Sequence, residues 1–411
     1  MADLAIDGGQ PVRTRPFPGP DPDIRPDDGQ ALAEVVRSGH LWRIGGTEVD
    51  ALEAAFAQLL DVPAGRVIAS SSGTAAIHLA VGAINPEPGD EIIVPPITDF
   101  GTVIPVLAQN AIPVFADVRP DTYCLDPQDV ARKLSPRTRA IIAVHLFGQP
   151  CDIALRQLAR DRGIALIEDA AQAPLAVDHG QLAGTIGDFG CFSLQQSKHI
   201  TAGEGGLTVV SDPERAERAR LFADKGWPRA GDIRTHLFLG MNYRLTELQG
   251  AVARRQLPRL AAIVARRRAT AAELDAALQQ VPALEVPRLP SGVHSAYWMY
   301  HFNVPDHAEE VAAAVRAEGI PLHAGYVMPL YLTPALREQR TYGQSRFPFD
   351  SPYARPQPPF GPGLCPVAET AAHRLCYLNL HQHIGPGDAS DIAAAVAKVM
   401  TAFGRRYQWN G

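Results

Sequence analysis

The sequence predicts an α/β fold: a mostly parallel central sheet between layers of helices, with a smaller α+β domain after it. Two observations predict it. Short runs dense in β-branched residues recur between positions 66 and 211, and nearly all their residues are apolar. Helical stretches such as "TAAIHLAVGAIN" and "DIALRQLARDRG" separate the earlier runs. Strands apolar on both faces must be covered on both faces, and parallel strands need crossovers, so the alternation implies a covered parallel sheet.

The elements follow in order. The opening "GGQPVRTRPFPGPDPDIRPDD" is too rich in proline for a long helix, so residues 1–30 read as an extended arm. Residues 46–61 place Val49, Leu52, Phe56 and Leu59 on one face at helical spacing. The predicted strands are "RVIAS" (66–70), "EIIVPP" (91–96), "IPVFADV" (112–118), "RAIIAVHLFG" (139–148), "IALIEDAA" (164–171), "FGCFSL" (189–194) and "GLTVVS" (206–211). After about residue 245 one long helix is expected, "RLTELQGAVARRQLPRLAAIVARRRATAAELDAALQQV". A smaller α+β region with "YWMYHFNVP", "AEEVAAAVRAEGI" and "DIAAAVAKVM" completes the chain. The Pro- and Gly-rich span 345–366 reads as a long loop. The expected division is an arm at 1–30, a large domain at 31–255 and a small domain at 256–411.

Composition excludes several classes. With 411 residues, 46% of them hydrophobic, the chain can bury a sizeable core. A net charge of −6 and no basic run longer than "ARRRA" argue against a nucleic-acid partner, which needs concentrated Lys and Arg. No secretory signal and no apolar run long enough to span a membrane are present, so a soluble cytoplasmic protein is expected. The five cysteines are scattered, form no Cys-x-x-Cys pair and read as small buried hydrophobes, without disulfide or zinc. His145, His294, His323, His381 and His383 likewise show no zinc spacing.

Chemistry concentrates at the predicted strand ends. "SSSGTAAIHL" follows the first strand and opens a helix, so Ser72, Gly73 and Thr74 present backbone N–H groups and hydroxyls suited to a phosphate, or serve as a plain cap. Asp169 ends a buried apolar strand, where a carboxylate needs a cation or a strong donor: a protonated ring nitrogen, an arginine or a helix end would serve. Gln172 either reaches the same ring or caps the helix. Lys198 is one of only four lysines in an arginine-rich chain. It follows an apolar strand and enters the glycine-rich turn of "GCFSLQQSKHITAGEGG", where desolvation would favour the neutral amine that Schiff-base chemistry requires.

"GTAAIHLA", "EDAAQA", "GDFGCFSLQQSKHITAGEGG", "GMNYRLTELQGA" and "CPVAE" resemble the signatures of the DegT/DnrJ/StrS family of PLP-dependent sugar and aminocyclitol aminotransferases, along essentially the whole chain. The resemblance implies a fold-type-I homodimer with pyridoxal 5′-phosphate (PLP) held as an internal aldimine. It makes Lys198 the Schiff-base lysine and proton shuttle, and Asp169 the partner of the pyridine nitrogen. Gln172 would lie near the ring hydroxyl, and Gly73, Thr74 and Ser193 would hold the phosphate. Asn242 resembles the residue that reaches the partner subunit's cofactor. Arg244 is read either as a carboxylate binder or as an ion pair with Glu247. Tyr326 and Tyr331 line the substrate cavity or pack in the core.

Two departures stand out. Where the family stacks an aromatic ring on the cofactor, this chain has Asp99, with Phe100 one place later. "AQAPLA" lacks the glycine common after this motif. The implied reaction moves an amino group from Gln or Glu to the ketone of a cyclitol or sugar in antibiotic-type biosynthesis. The alternatives are a nucleotide-linked keto-sugar as acceptor, and a dehydratase or an aromatising enzyme of the aminohydroxybenzoate-synthase type. A dehydratase would carry histidine at the lysine position, which gives His199 its interest. A regulatory protein that merely kept the fold is disfavoured because Lys198 and Asp169 are both intact.

Overall fold

The computed structural model describes residues 3–229 and 233–409. Its thirteen strands are β1 Val67–Ser70, β2 Glu91–Val94, β3 Ile112–Phe115, β4 Thr138–Val144, β5 Ala165–Asp169, β6 Val177–Asp178, β7 Gln181–Leu182, β8 Phe189–Ser193, β9 Gly206–Val210, β10 Val293–His294, β11 Met299–Asn303, β12 His323–Ala324 and β13 Leu375–Asn379. Every run predicted as a strand between 66 and 211 enters one seven-stranded sheet, in the order β1-β9-β8-β5-β4-β2-β3. The pairings β2–β3, β2–β4, β4–β5 and β5–β8 are parallel, and only β9 runs against its neighbours β1 and β8. These strands are almost entirely buried because helices cover both faces. A second sheet, β11-β13-β12, is antiparallel, packs against the helix Ala308–Ala317 and shares its core with the helix Pro386–Tyr407.

Two sequence expectations are corrected. The helix Pro26–Ser38 starts inside the segment read as an arm, with Pro26 in its first turn, where a missing N–H is harmless. The single long helix after residue 245 is two helices, Glu247–Gln256 and Leu260–Leu278, joined by a 3₁₀ turn at Leu257–Arg259. Pro258 in that turn cannot donate to the preceding turn and crowds its carbonyl, which breaks the helix there.

The N-terminal segment is tied to the end of the chain. Glu318, fully buried, accepts hydrogen bonds from the N–H groups of Ala5 (2.9 Å) and Val12 (3.0 Å) and from Lys398 Nζ (2.9 Å). The buried Arg13 guanidinium reaches Asp388 at 2.8 Å and Asp391 at 2.7 Å. All five cysteines are free and buried, as expected. Among the described residues no helix is long and apolar enough to cross a membrane, and no cluster of metal-ligating side chains is present.

Candidate active site

Because β1, β2, β5 and β8 point the same way, their carboxyl ends meet along one edge of the sheet, the position where open α/β sheets bind ligands. A cavity of about 360 Å³ opens there. Its lining brings together Ser72, Gly73 and Thr74 after β1, Asp99 after β2, Asp169 and Gln172 from β5, Ser193 and Lys198 from β8, and Tyr326. Residues far apart in sequence are adjacent here because all but Tyr326, which follows β12 of the second sheet, lie at or after strand ends of the same sheet.

The β1 corner opens the helix Gly73–Ile84, capped by Ser72 Oγ, which accepts from Ala75 N–H at 3.0 Å. That cap leaves the N–H groups of the first helical positions free for an anion. Ser193 presses on this corner: a Cβ at Gly73 would lie 2.9 Å from Ser193 Cβ. A Cβ at Gly206 would lie 2.2 Å from Ser72 O, so the glycine-rich turn after Lys198 lets β9 run directly beneath the corner.

Asp169 is buried, and burial pushes its carboxyl pKa above the usual range despite hydrogen bonds that pull the other way. Thr102 Oγ1 donates to it at 2.9 Å and Ala171 N–H at 3.2 Å. Thr98 and Thr102 share a further hydroxyl bond at 2.8 Å. A carboxylate held out of water by only neutral donors has its strongest favourable partner in a cation. Lys198 shows the mirror image: burial lowers its amine pKa, with Asp169 and then Asp99 opposing that shift through their charge. A buried amine biased toward its neutral form, a buried acid and an open helix N-terminus are the three groups a pyridine aldehyde phosphate needs, so the residues fit PLP.

Gln172 spends its amide on protein. Its Oε1 accepts from Phe147 N–H at 2.7 Å, and its Nε2 donates to Tyr326 Oη at 3.2 Å. Burial raises the Tyr326 phenol pKa. Tyr331 is fully buried and bonds the Cys365–Glu369 segment, so it belongs to the core. Asp99 lines the cavity, and its carboxylate accepts from Gly101 N–H at 2.7 Å, starting the turn Phe100–Thr102. Phe100 turns instead to the main core. His199 faces away: it is buried, bonds Ala296 O at 3.0 Å, and burial drives its pKa well down.

Besides Phe100, two predicted residues lie outside this cavity within one chain. Asn242 is exposed, in a short bridge with Asp224. Arg244 pairs with Asp224 and lines a separate cavity with Arg43, Arg220 and Arg229. Its expected partner Glu247 is engaged elsewhere, accepting from the N–H groups of Thr47, Glu48 and Val49 and so capping the helix Glu48–Leu59. Sequence reading missed two residues of the site. Thr102 supports Asp169, and Trp298 covers Lys198, whose Nζ lies 3.9 Å from the indole centroid.

Comparison with known proteins agrees with this geometry. Residues 22–355 match the model of the DegT/DnrJ/EryC1/StrS aminotransferase family. The L-glutamine:2-deoxy-scyllo-inosose aminotransferase of Streptomyces kanamyceticus is 36% identical, across 97% of this chain and 96% of its own length. The crystal structure of the aminotransferase TlmJ from Streptoalloteichus hindustanus superposes with a TM-score of 0.81 at 31% identity, over 93% of this chain and 98% of that one. A 3-amino-5-hydroxybenzoic acid synthase structure gives 0.84 at 28% identity, over 95% of this chain and all of the other. With the expected α/β sheet, and a family match and relatives that span most of its length, this chain belongs to the DegT/DnrJ/EryC1/StrS family and is an aminotransferase.

Proposed function

We propose that this enzyme uses PLP to move an amino group from L-glutamine to the ketone of a cyclitol of the scyllo-inosose type, in the making of an antibiotic-type aminocyclitol. The observation that carries the reading is the placement of Lys198 and Asp169 in one cavity with the open helix N-terminus at Gly73. Relatives over nearly the full length carry the glutamine and deoxy-inosose names, and these support both the donor and the acceptor class. Among the described residues Lys198 is the one cationic side chain lining the cavity, which favours an uncharged cyclitol over a nucleotide-linked sugar with its anionic diphosphate.

PLP supplies the electron sink that lets a C–H bond next to nitrogen ionise. The chain does the rest. Lys198 would hold the aldehyde carbon and, when its amine is free, would move the proton at the substrate carbon. Asp169 keeps the ring nitrogen protonated, with Thr102 and Ala171 holding the carboxylate in place. Ser72, Gly73, Thr74 and Ser193 hold the phosphate. Gln172, fixed by Phe147 and Tyr326, sets the wall beside the ring. Asp99 and Tyr326 contact the substrate, while Phe100 supports the turn from the core side. In this reading the enzyme is a cytoplasmic homodimer, and Asn242 serves the partner's site. Residues 31–255 hold the cofactor, and residues 256–411 contribute Trp298 and Tyr326 to the cavity.

The test is a visible absorption spectrum of the PLP-loaded enzyme, recorded before and after L-glutamine and, separately, L-glutamate. Bleaching of the lysine-bound cofactor band by glutamine, and its return on adding 2-deoxy-scyllo-inosose, is the expected result. A band that neither amino acid bleaches refutes the donor assignment, and failure of the ketone to restore it refutes the acceptor.

A further inference from the structure

We infer that Trp298 is a positioning residue for Lys198: its indole face seats the lysine amine whenever that amine is not joined to cofactor. The inference rests on Lys198 being the cofactor-binding lysine, as proposed above.

The geometry is a double hold. Lys198 Nζ lies 3.9 Å from the Trp298 ring centroid, well inside cation–π range. The indole Nε1–H of the same residue donates to Ser197 O at 2.9 Å, so the ring also clamps the peptide immediately before the lysine. The tryptophan is itself fixed. Its backbone N–H donates to Phe147 O at 3.0 Å, its carbonyl accepts from Leu380 N–H at 3.3 Å, and Tyr326 packs edge-on at a centroid distance of 6.5 Å.

Transamination needs such a seat. Each half-reaction frees the lysine, and a freed four-carbon side chain has wide rotamer freedom. Two carboxylates, Asp169 and Asp99, bear electrostatically on this amine. An ion pair with Asp169 would take the acid away from the ring nitrogen it must hold. An aromatic face attracts the ammonium without supplying a hydrogen-bond acceptor, so it holds the amine near the reacting carbon and releases it readily. Glu204, exposed on the same cavity wall, adds negative charge there.

The rarity of lysine makes this measurable. With four lysines in the chain, labelling their ε-methylenes with ¹³C gives four resolvable sites in the full-length protein. In the cofactor-free protein, and again in PLP-loaded enzyme exhausted with L-glutamine, one ε-methylene signal is expected far upfield from the indole ring current. It is absent in Lys198→Ala, collapses to an ordinary position in Trp298→Leu and is partly kept in Trp298→Phe. In parallel, Trp298→Leu lowers kcat of the glutamine half-reaction by about tenfold, moves KM by less than about threefold, and Trp298→Phe recovers most of the loss. An unshifted Lys198 signal in the wild-type protein overturns the inference even if the leucine variant does not fold. So does a folded leucine variant with wild-type kcat. A shifted signal that ignores added PLP would instead overturn the cofactor role of Lys198 while leaving the indole contact standing.

Discussion

At the carboxyl end of β5 two carboxylates stand side by side, and the pleat turns them to opposite faces of the sheet. Glu168 is saturated. It accepts from the backbone N–H groups of Gly184 (2.8 Å), Ile186 (2.7 Å) and Gly187 (2.6 Å) and bonds His145 Nε2 at 2.9 Å. Asp169 has one hydroxyl and one N–H. Both are buried, and at Asp169 burial is incompletely answered and raises the carboxyl pKa. The pair separates two uses of buried charge. A carboxylate ringed by donors locks a loop, and one left short of donors waits for a cation that the fold does not supply.

The sharpest break of the comparison is Asp169→Asn. It should lower transamination by about a hundredfold or more, since the ring nitrogen loses its anionic partner. The cofactor-free variant should be at least as stable as wild type at neutral pH. The sign follows from the raised pKa: the folded state binds the proton more tightly than the unfolded chain. Stability contributed by Asp169 is thus greatest at acid pH and falls as pH rises through the carboxylate range. Thermal melts of both proteins between acid and neutral pH check this, and a large destabilisation at neutral pH would make Asp169 structural.

Glu168→Gln should behave in the opposite way. Three backbone donors lose an anionic acceptor, so unfolding becomes easier by about 3 kcal/mol while turnover per folded molecule stays close to wild type. The variant should also lose a pH slope. Burial depresses the His145 pKa, but its bond to Glu168 and the carboxylate charge carry it above the ordinary value. The resulting stability is full below the unfolded-state pKa and is lost as pH rises through the folded one. Denaturant titrations across that window should show the slope in wild type and not in the variant.

Thr102→Val gives the smallest effect. It removes one neutral donor from Asp169, which predicts a three- to tenfold drop in kcat/KM and a stability change within about 1 kcal/mol. Unaltered kinetics would mean that Ala171 N–H alone orients the carboxylate.

Much of this was legible in the sequence because it is local. Each strand of the large sheet is a short, mostly apolar run, β-branched in all but β8, and burial on both faces leaves such a run no alternative pattern. Asp169 and Lys198 were legible because a carboxylate at the end of an apolar strand and a rare lysine before a glycine-rich turn each defy the local environment. What was missed is non-local. Trp298 meets Ser197 across 101 positions, and Thr102 meets Asp169 across 67. Nothing in "YWMYHFNVP" distinguishes a tryptophan that covers a lysine from one that fills a core. Glu247 is one of two expected partners of nearby Arg244, yet it caps a helix about 200 positions earlier, because helix N-terminal donors attract a carboxylate from wherever the fold delivers one. The interruption at Pro258 is the exception: its signal was local, and the strong apolar pattern on both sides outweighed it.

The bonds between the first and last segments also set an order of events during synthesis. Val12 waits for an acceptor 306 positions later, and Arg13 for one 375 positions later. Ala5 and Val12 therefore find their acceptor once Glu318 has been made, whereas the Arg13 guanidinium waits for the helix Pro386–Tyr407. Contacts this distant in sequence are slow to close. The large sheet can assemble while translation continues, whereas the N-terminal segment docks in full only after Asp388 and Asp391 have been made.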